Sequence, residues 1–297
     1  MSPLKFLSPF EYKEPQQGFW GPVTSTIDWC EENYVISPYF AELVNATTNL
    51  SFYFLSLNLV RSAIVNKHGL MFVFVSIGMC IVGIGSWLFH MTLKYEFQLL
   101  DELPMIYVTA IPFAYIFGLE TESKVKRFSI YGLTAVVIAA LTYIYCSVYK
   151  NPELHQASYA VLNFAIVFKS LSLVKNHVTD YNQRHFLYKF VGFALFEFLF
   201  GFLVWNLDTF YCSELIRVRR LVGLPFGALL LEGHGWWHIL TSLGIFHFIL
   251  YNQLLNVWYH GLQDQYELVW KLGMPFEVRL KQSTSPRQVK DEKKTVK

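Results

Sequence analysis

The sequence predicts an all-α membrane protein: a bundle of seven transmembrane helices with a lumenal N-terminus and a cytosolic C-terminus. Three observations predict it. First, hydrophobic residues make up 54% of the 297 residues and charged residues only 15%, with a mean hydropathy of +0.33. Soluble domains carry about a quarter charged residues. Second, seven apolar stretches reach the roughly 20 residues that a membrane span needs. Third, lysine and arginine are distributed unevenly between the connecting loops, which sets orientation. The aromatic share of 18% fits the same class, because Trp and Tyr gather at membrane interfaces. A net charge of +2 gives no reason to expect nucleic acid as a partner.

The spans are expected over residues 39–60, 70–89, 99–119, 128–149, 154–174, 186–207 and 224–255. Gly223, Pro225 and Gly227 make the start of the last one irregular, so its regular helix is expected from about Leu230. No internal repeat and no separate soluble domain interrupt the series. The chain therefore divides into a lumenal segment (1–38), a bundle (39–260) and a cytosolic tail (261–297). Residues 281–297 are polar and lysine-rich, a composition expected to be disordered because it has nothing to bury. The stretch 1–10 holds two prolines and only a short apolar run, and does not resemble a signal peptide. The first span is expected to act as its own targeting signal.

Orientation follows from the loops. Arg61, Lys67, Lys124, Lys126, Arg127, Lys175, Arg184, Lys189 and the tail lysines share one side of a seven-span bundle. Lys5, Lys13, Lys94, Lys150, Arg217, Arg219 and Arg220 share the other, with roughly half the charge. The richer side is expected to be cytosolic. Cys80 and Cys146 fall inside spans. Cys30 and Cys212 fall on the lumenal side, where disulfides are permitted. A Cys30–Cys212 bridge is expected there, with two free thiols as the alternative.

Ionisable groups inside a span cost about 2.5–3.5 kcal/mol each on insertion scales, and so point to function. The last span carries His234 and His238 at i and i+4, one helical face. The second span ends with Ser86 and His90 in the same relation, and the third opens with Asp101-Glu102-Leu103-Pro104. Alternating span direction places all of these at similar depth near the lumenal end. Three imidazoles with one open position is the usual layout of catalytic zinc. Copper and iron also suit imidazole, but zinc fits hydrolysis best. Asp101 is then placed to accept a proton from water and pass it to a leaving group. Ser86 is placed to stabilise an oxyanion, or simply to pack closely beside Gly83 and Gly85. His247 is read as a packing residue. Access from lipid or from the lumenal mouth points to a lipid substrate.

Asp28, Trp29, Glu31, Asn33 and Glu42 form an acidic cluster before the first span. Oxygen ligands in that pattern can hold calcium, but the spacing is not that of an EF-hand. The residues alone favour a solvated loop. Asn45-Ala46-Thr47 and Asn49-Leu50-Ser51 match the glycosylation pattern but fall within a span, which argues against modification.

Four segments together resemble the alkaline ceramidase family of yeasts and animals. They are Ser-Thr-Ile-Asp-Trp-Cys-Glu-Glu-Asn-Tyr (25–34), the run 85–95 through His90, Gln-Leu-Leu-Asp-Glu-Leu-Pro-Met-Ile-Tyr (98–107), and His-Gly-Trp-Trp-His-Ile (234–239). The resemblance covers roughly residues 18–260. It implies zinc on His90, His234 and His238, Asp101 as proton acceptor and Ser86 as oxyanion donor. It also implies calcium on Asp28, the Trp29 carbonyl, Glu31, Asn33 and Glu42, which reverses the solvated-loop reading, and a bridge between Cys30 and Cys212. The implied reaction cleaves phytoceramide or dihydroceramide to a sphingoid base and a fatty acid, reversibly in yeast-type members. The implied location is the endoplasmic reticulum, or the Golgi. Lys293 and Lys294 resemble a dilysine retrieval signal displaced by one position. Alternatives are hydrolysis of another lipid ester or amide, and a non-enzymatic seven-helix receptor with structural zinc.

Overall fold

The computed structural model describes residues 10–281. The expected tail disorder from 282 onward, the Lys293–Lys294 pair and residues 1–9 lie outside the described residues. Each expected span falls on helix. The first is split into α1 (Leu43–Thr48) and α2 (Leu50–Val65). Then come α3 (Leu70–Thr92), α4 (Tyr95–Gly118), α5 (Lys124–Tyr143, continued by a π turn at Ile144–Val148), α6 (Pro152–His177) and α7 (Tyr181–Phe210). A helix α8 (Cys212–Val222) and a short α9 (Phe226–Leu231) lead into α10 (Gly233–Tyr259). The five units from α3 to α7 are long and apolar enough to cross a membrane.

Local chemistry sets the boundaries. Ser123, Asn151 and Asp180 each accept a hydrogen bond from a backbone N–H in the first turn of α5, α6 and α7, the ordinary N-cap arrangement. Pro152 follows its cap at the first helical position, where a missing N–H costs nothing. The α1–α2 break has a different cause. The Thr47 and Thr48 hydroxyls bond back to the Leu43 and Val44 carbonyls, a contact that bends helices. Gly83 of α3 lies where a Cβ would meet Phe52 Cβ at 2.6 Å and the Asn49 carbonyl at 3.4 Å.

The burial pattern is that of a membrane bundle. Large apolar side chains face outward along α5, α6 and α7, among them Leu133, Phe164, Phe168, Phe196 and Leu203. Inside sit ionisable and polar groups such as Glu102, His155, Glu197 and His247. His247 Nδ1 pairs with Glu197 Oε2 at 2.6 Å across the α7–α10 contact, the packing role expected of it. Asn45 and Asn49 are buried, which agrees with discounting them as glycosylation sites.

Two features depart from the expected layout. The loop before the last span is largely helical, as α8 and α9. After α10 the chain forms an antiparallel hairpin, β1 (Tyr266–Lys271) and β2 (Met274–Leu280). Its two-residue turn has positive φ at both Leu272 (50°) and Gly273 (78°), the twist that suits a tight hairpin. The hairpin packs against α2 and the loop before α3. Asn66 Nδ2 donates to Glu277 Oε1 at 3.0 Å, and Leu280 N donates to Asn66 Oδ1 at 3.1 Å. His68 Nε2 donates to the Val278 carbonyl at 2.7 Å. Burial lowers the His68 imidazole below its ordinary range, against the opposing pulls of the Val278 carbonyl and Glu277.

A depressed histidine binds its proton more readily when the chain unfolds. Its contribution to docking is therefore present above about pH 6.5 and is lost as pH falls through the lowered folded value. Protection of the β2 amides, taken relative to their intrinsic exchange rate at each pH, is expected to be high at pH 7.5 and lower at pH 5. A His68→Asn variant is expected to lose that difference, and equal protection at both pH values in the unsubstituted chain would contradict the account.

Candidate metal centre

Three buried histidines meet at one end of the bundle. His90 comes from the last turn of α3, and His234 and His238 from the first turns of α10. One ligand nitrogen of each lies within 4.8 Å of the others. Ring centroids are 5.0 Å apart for His90–His234, 4.9 Å for His90–His238 and 4.6 Å for His234–His238. Among the described residues this is the group of His, Cys, Asp or Glu side chains that converges tightly enough to hold a metal ion.

The outer nitrogens decide what the inner ones can do. His90 Nδ1 lies 2.5 Å from Glu42 Oε2, so the imidazole donates its N–H to a carboxylate. His238 Nδ1 lies 3.0 Å from Thr48 Oγ1. That hydroxyl already donates to the Val44 carbonyl at 2.8 Å, so it accepts from His238. With Nδ1 protonated, the Nε2 of each neutral ring carries a lone pair. Two such lone pairs beside a third imidazole make a donor set suited to a cation. Ligating histidines usually have this outer bonding, so the donor set fits a metal.

The expected catalytic pair also meets. The Ser86 side chain comes beside the Asp101 carboxyl. Ser86 lies one turn before His90 on α3. Asp101 lies about two turns into α4, because that helix begins at Tyr95, four residues before the expected span. Gly85 makes the meeting possible. A Cβ there would sit 2.2 Å from the Leu100 carbonyl oxygen and 3.1 Å from Asp101 N, and these are backbone atoms that cannot swing aside. Gly85→Ala is expected to force α3 from α4, with a stability cost of about 1–3 kcal/mol and loss of turnover at unchanged expression. A variant with full activity and unchanged Tm would exclude this packing role.

The N-terminal segment lies across the ends of α3 and α4. Thr24 N and Ser25 N both donate to the Leu93 carbonyl at 3.1 Å, and Glu42 N donates to the His90 carbonyl at 2.9 Å. Trp29 stacks on His234 with centroids 4.4 Å apart. The Cys30–Cys212 disulfide, with Cα atoms 5.4 Å apart, ties this segment to the start of α8, as expected. Its acidic residues are shared out. Asn33 Nδ2 donates to Asp28 Oδ1 at 3.3 Å. Glu31 accepts from Val44 N and Asn45 N, both at 2.8 Å. Glu42 accepts from Trp29 N, Asn45 Nδ2 and His90. Burial, and then the Glu42 carboxylate beside it, push the Glu31 carboxyl up to about 8 against its two backbone hydrogen bonds.

Sequence reasoning missed Asn45, Thr48 and Asn49 as parts of the site. Asn45 steadies Glu42 at 3.1 Å, and Asn49 Nδ2 lies 3.4 Å from His238 Nδ1. The signal was present: Asn-Ala-Thr-Thr-Asn (45–49) is a dense polar run at the start of an apolar span, read only as a glycosylation pattern.

Comparison with known proteins gives the family. The ceramidase family model matches residues 21–278. The chain is 41% identical over 281 residues to alkaline ceramidase YPC1 of Saccharomyces cerevisiae, covering 88% of this chain and 87% of that one. It is 37% identical over 242 residues to mouse alkaline ceramidase 3, covering 80% and 86%. It is 29% identical over 266 residues to the putative alkaline ceramidase dcd3A of Dictyostelium discoideum, covering 77% and 86%. The matched region takes in the disulfide, the histidine triad, Ser86 and Asp101, and the chain belongs to the ceramidase family.

Proposed function

We propose that this chain is a zinc-dependent intramembrane amidohydrolase that cleaves a ceramide-type lipid, such as phytoceramide or dihydroceramide, to a sphingoid base and a free fatty acid. The observation that carries the zinc reading is the buried triad with its outer nitrogens bonded to Glu42 and Thr48. The substrate class follows from the ceramidase family and from what the relatives are named for. His90, His234 and His238 would hold the ion, which supplies Lewis-acid polarisation of a carbonyl and eases deprotonation of water near neutral pH.

The chain's own residues do the rest. Asp101 takes the proton from the attacking water and delivers it to the amide nitrogen as the C–N bond breaks. Ser86 donates to the developing oxyanion. Its place beside Asp101 links the two roles through a hydrogen bond between them. While Asp101 is ionised, the Ser86 O–H points at the carboxylate. Once Asp101 is protonated it can donate to Ser86 Oγ, and the Ser86 O–H is released toward the oxyanion. Proton acceptance and charge stabilisation then occur together.

The acidic segment is proposed to hold calcium through Asp28, the Trp29 carbonyl, Glu31, Asn33 and Glu42. Support comes from the buried, mutually repelling carboxylates of Glu31 and Glu42. Glu42 also bonds His90, so a cation there would bear directly on the triad. The proposed setting is the endoplasmic reticulum or Golgi membrane, with all seven units spanning, the triad near the lumenal face and the tail cytosolic. Purified protein supplied with ceramide, dihydroceramide and phytoceramide should release sphingoid base and fatty acid, detected by mass spectrometry. Activity should fall on chelation and return with zinc. Turnover that survives complete metal removal refutes the zinc reading, and turnover confined to other lipid esters or amides refutes the substrate.

A further inference from the structure

Two of the three histidines are oriented by their own side-chain hydrogen bonds, His90 by Glu42 and His238 by Thr48. His234 is not: its Nδ1 has no hydrogen-bond partner. Its placement rests on the backbone turn that starts α10 and on the Trp29 ring stacked against it. Both supports converge on Arg219, a fully buried arginine of α8. Its Nη1 donates to the Cys30 carbonyl at 2.7 Å, next to Trp29. Its Nε and Nη2 donate to the Leu231 carbonyl at 3.2 and 2.7 Å. Nη2 also meets Asp208 Oδ1 at 3.1 Å and Glu232 Oε2 at 2.7 Å. Asp208 Oδ1 accepts in turn from Gly233 N at 3.0 Å. Gly233 lies so close to α7 that a Cβ would sit 2.7 Å from Asp208 Cβ. One planar guanidinium therefore pins residues 30, 208, 231 and 232, on both sides of His234.

We propose that Arg219 is a positioning residue for the metal centre, fixing the His234 imidazole by holding the start of α10 and the disulfide-tied loop in one register. The inference rests on the proposed zinc reading of the triad. A lysine keeps the charge but offers a single nitrogen, which cannot reach acceptors on both sides at once. The test uses the full-length protein in detergent, loaded with zinc and titrated with a chelator, alongside kcat and KM for ceramide.

Arg219→Lys should fold and should hold zinc about 10–100-fold more weakly, the usual effect of losing an outer positioning contact. Its kcat should fall while KM changes little. Because Arg219→Gln alone strands buried carboxylates, the compensated variant Arg219→Gln/Glu232→Gln is the second arm, with the same expected loss of zinc. Folded variants that retain zinc and kcat as the wild type does overturn the inference and leave the zinc reading standing. Wild-type protein that binds no zinc overturns both. If neither variant yields a folded, monodisperse protein, Arg219 serves folding alone, and the positioning role is overturned.

Discussion

His234→Ala protein is expected to lose tightly held zinc and to hydrolyse ceramide at least about 10³-fold more slowly, the scale on which losing a central electrostatic or metal contribution acts. The reason is geometric. His90 and His238 sit on different helices, and two imidazoles alone do not make the three-ligand set of a catalytic site. The histidine is buried, so alanine leaves a gap that no neighbouring side chain is placed to fill as a ligand. The fold should survive, because the replacement removes a group whose Nδ1 has no partner. Metal analysis of the purified variant, thermal unfolding and product mass spectrometry check the three parts separately. A metal-free variant that still turns over ceramide would refute the mechanism.

Asp101→Asn is expected to lower kcat about 10²–10⁴-fold, the range for loss of a general acid–base group, while zinc content stays at the wild-type level. Asparagine keeps the shape and can still accept from Ser86, so packing at Gly85 is preserved. What it cannot do is take and return a proton. Ser86→Ala is expected to cost less, about 10²-fold, as the loss of one oxyanion donor. The pair of variants also separates an enzyme from a receptor with structural zinc, for which both substitutions would be tolerated. Measuring zinc content and single-turnover rates on the same preparations decides between them.

Most of the site was legible before any fold was known, because its parts lie within single helices. His234 and His238, and likewise Ser86 and His90, are related by one helical turn, and that spacing fixes a shared face whatever the helix packs against. The similar depth of His90, Asp101 and His234 followed from counting spans. The Cys30–Cys212 bridge followed from placing both thiols on one side, and the structure forms it. The hairpin was not legible as such. Tyr-Glu-Leu-Val-Trp-Lys (266–271) alternates only weakly, and the hairpin docks through β2 on Asn66 and His68, some 200 residues away. Arg219 entered the sequence reading only as one charge among those of the lumenal loops. Its burial depends on four acceptors, the Cys30 and Leu231 carbonyls, Asp208 and Glu232, contributed by three separate parts of the chain.

The sequence by itself determined the class of protein, the placing of polar groups inside apolar helices and the identity of the three histidines. Those follow from composition and from the 3.6-residue period, which are local. Only the tertiary structure decided which partner each outer nitrogen has and that Ser86 reaches Asp101. It alone showed that a single guanidinium spans the disulfide loop and the start of α10. Those contacts cross between helices, and their existence turns on close approaches at Gly85 and Gly233, where a Cβ would sit 2.2 Å and 2.7 Å from the neighbouring helix. Spacing along one chain does not encode such distances, because they are set by the packing of all the helices together.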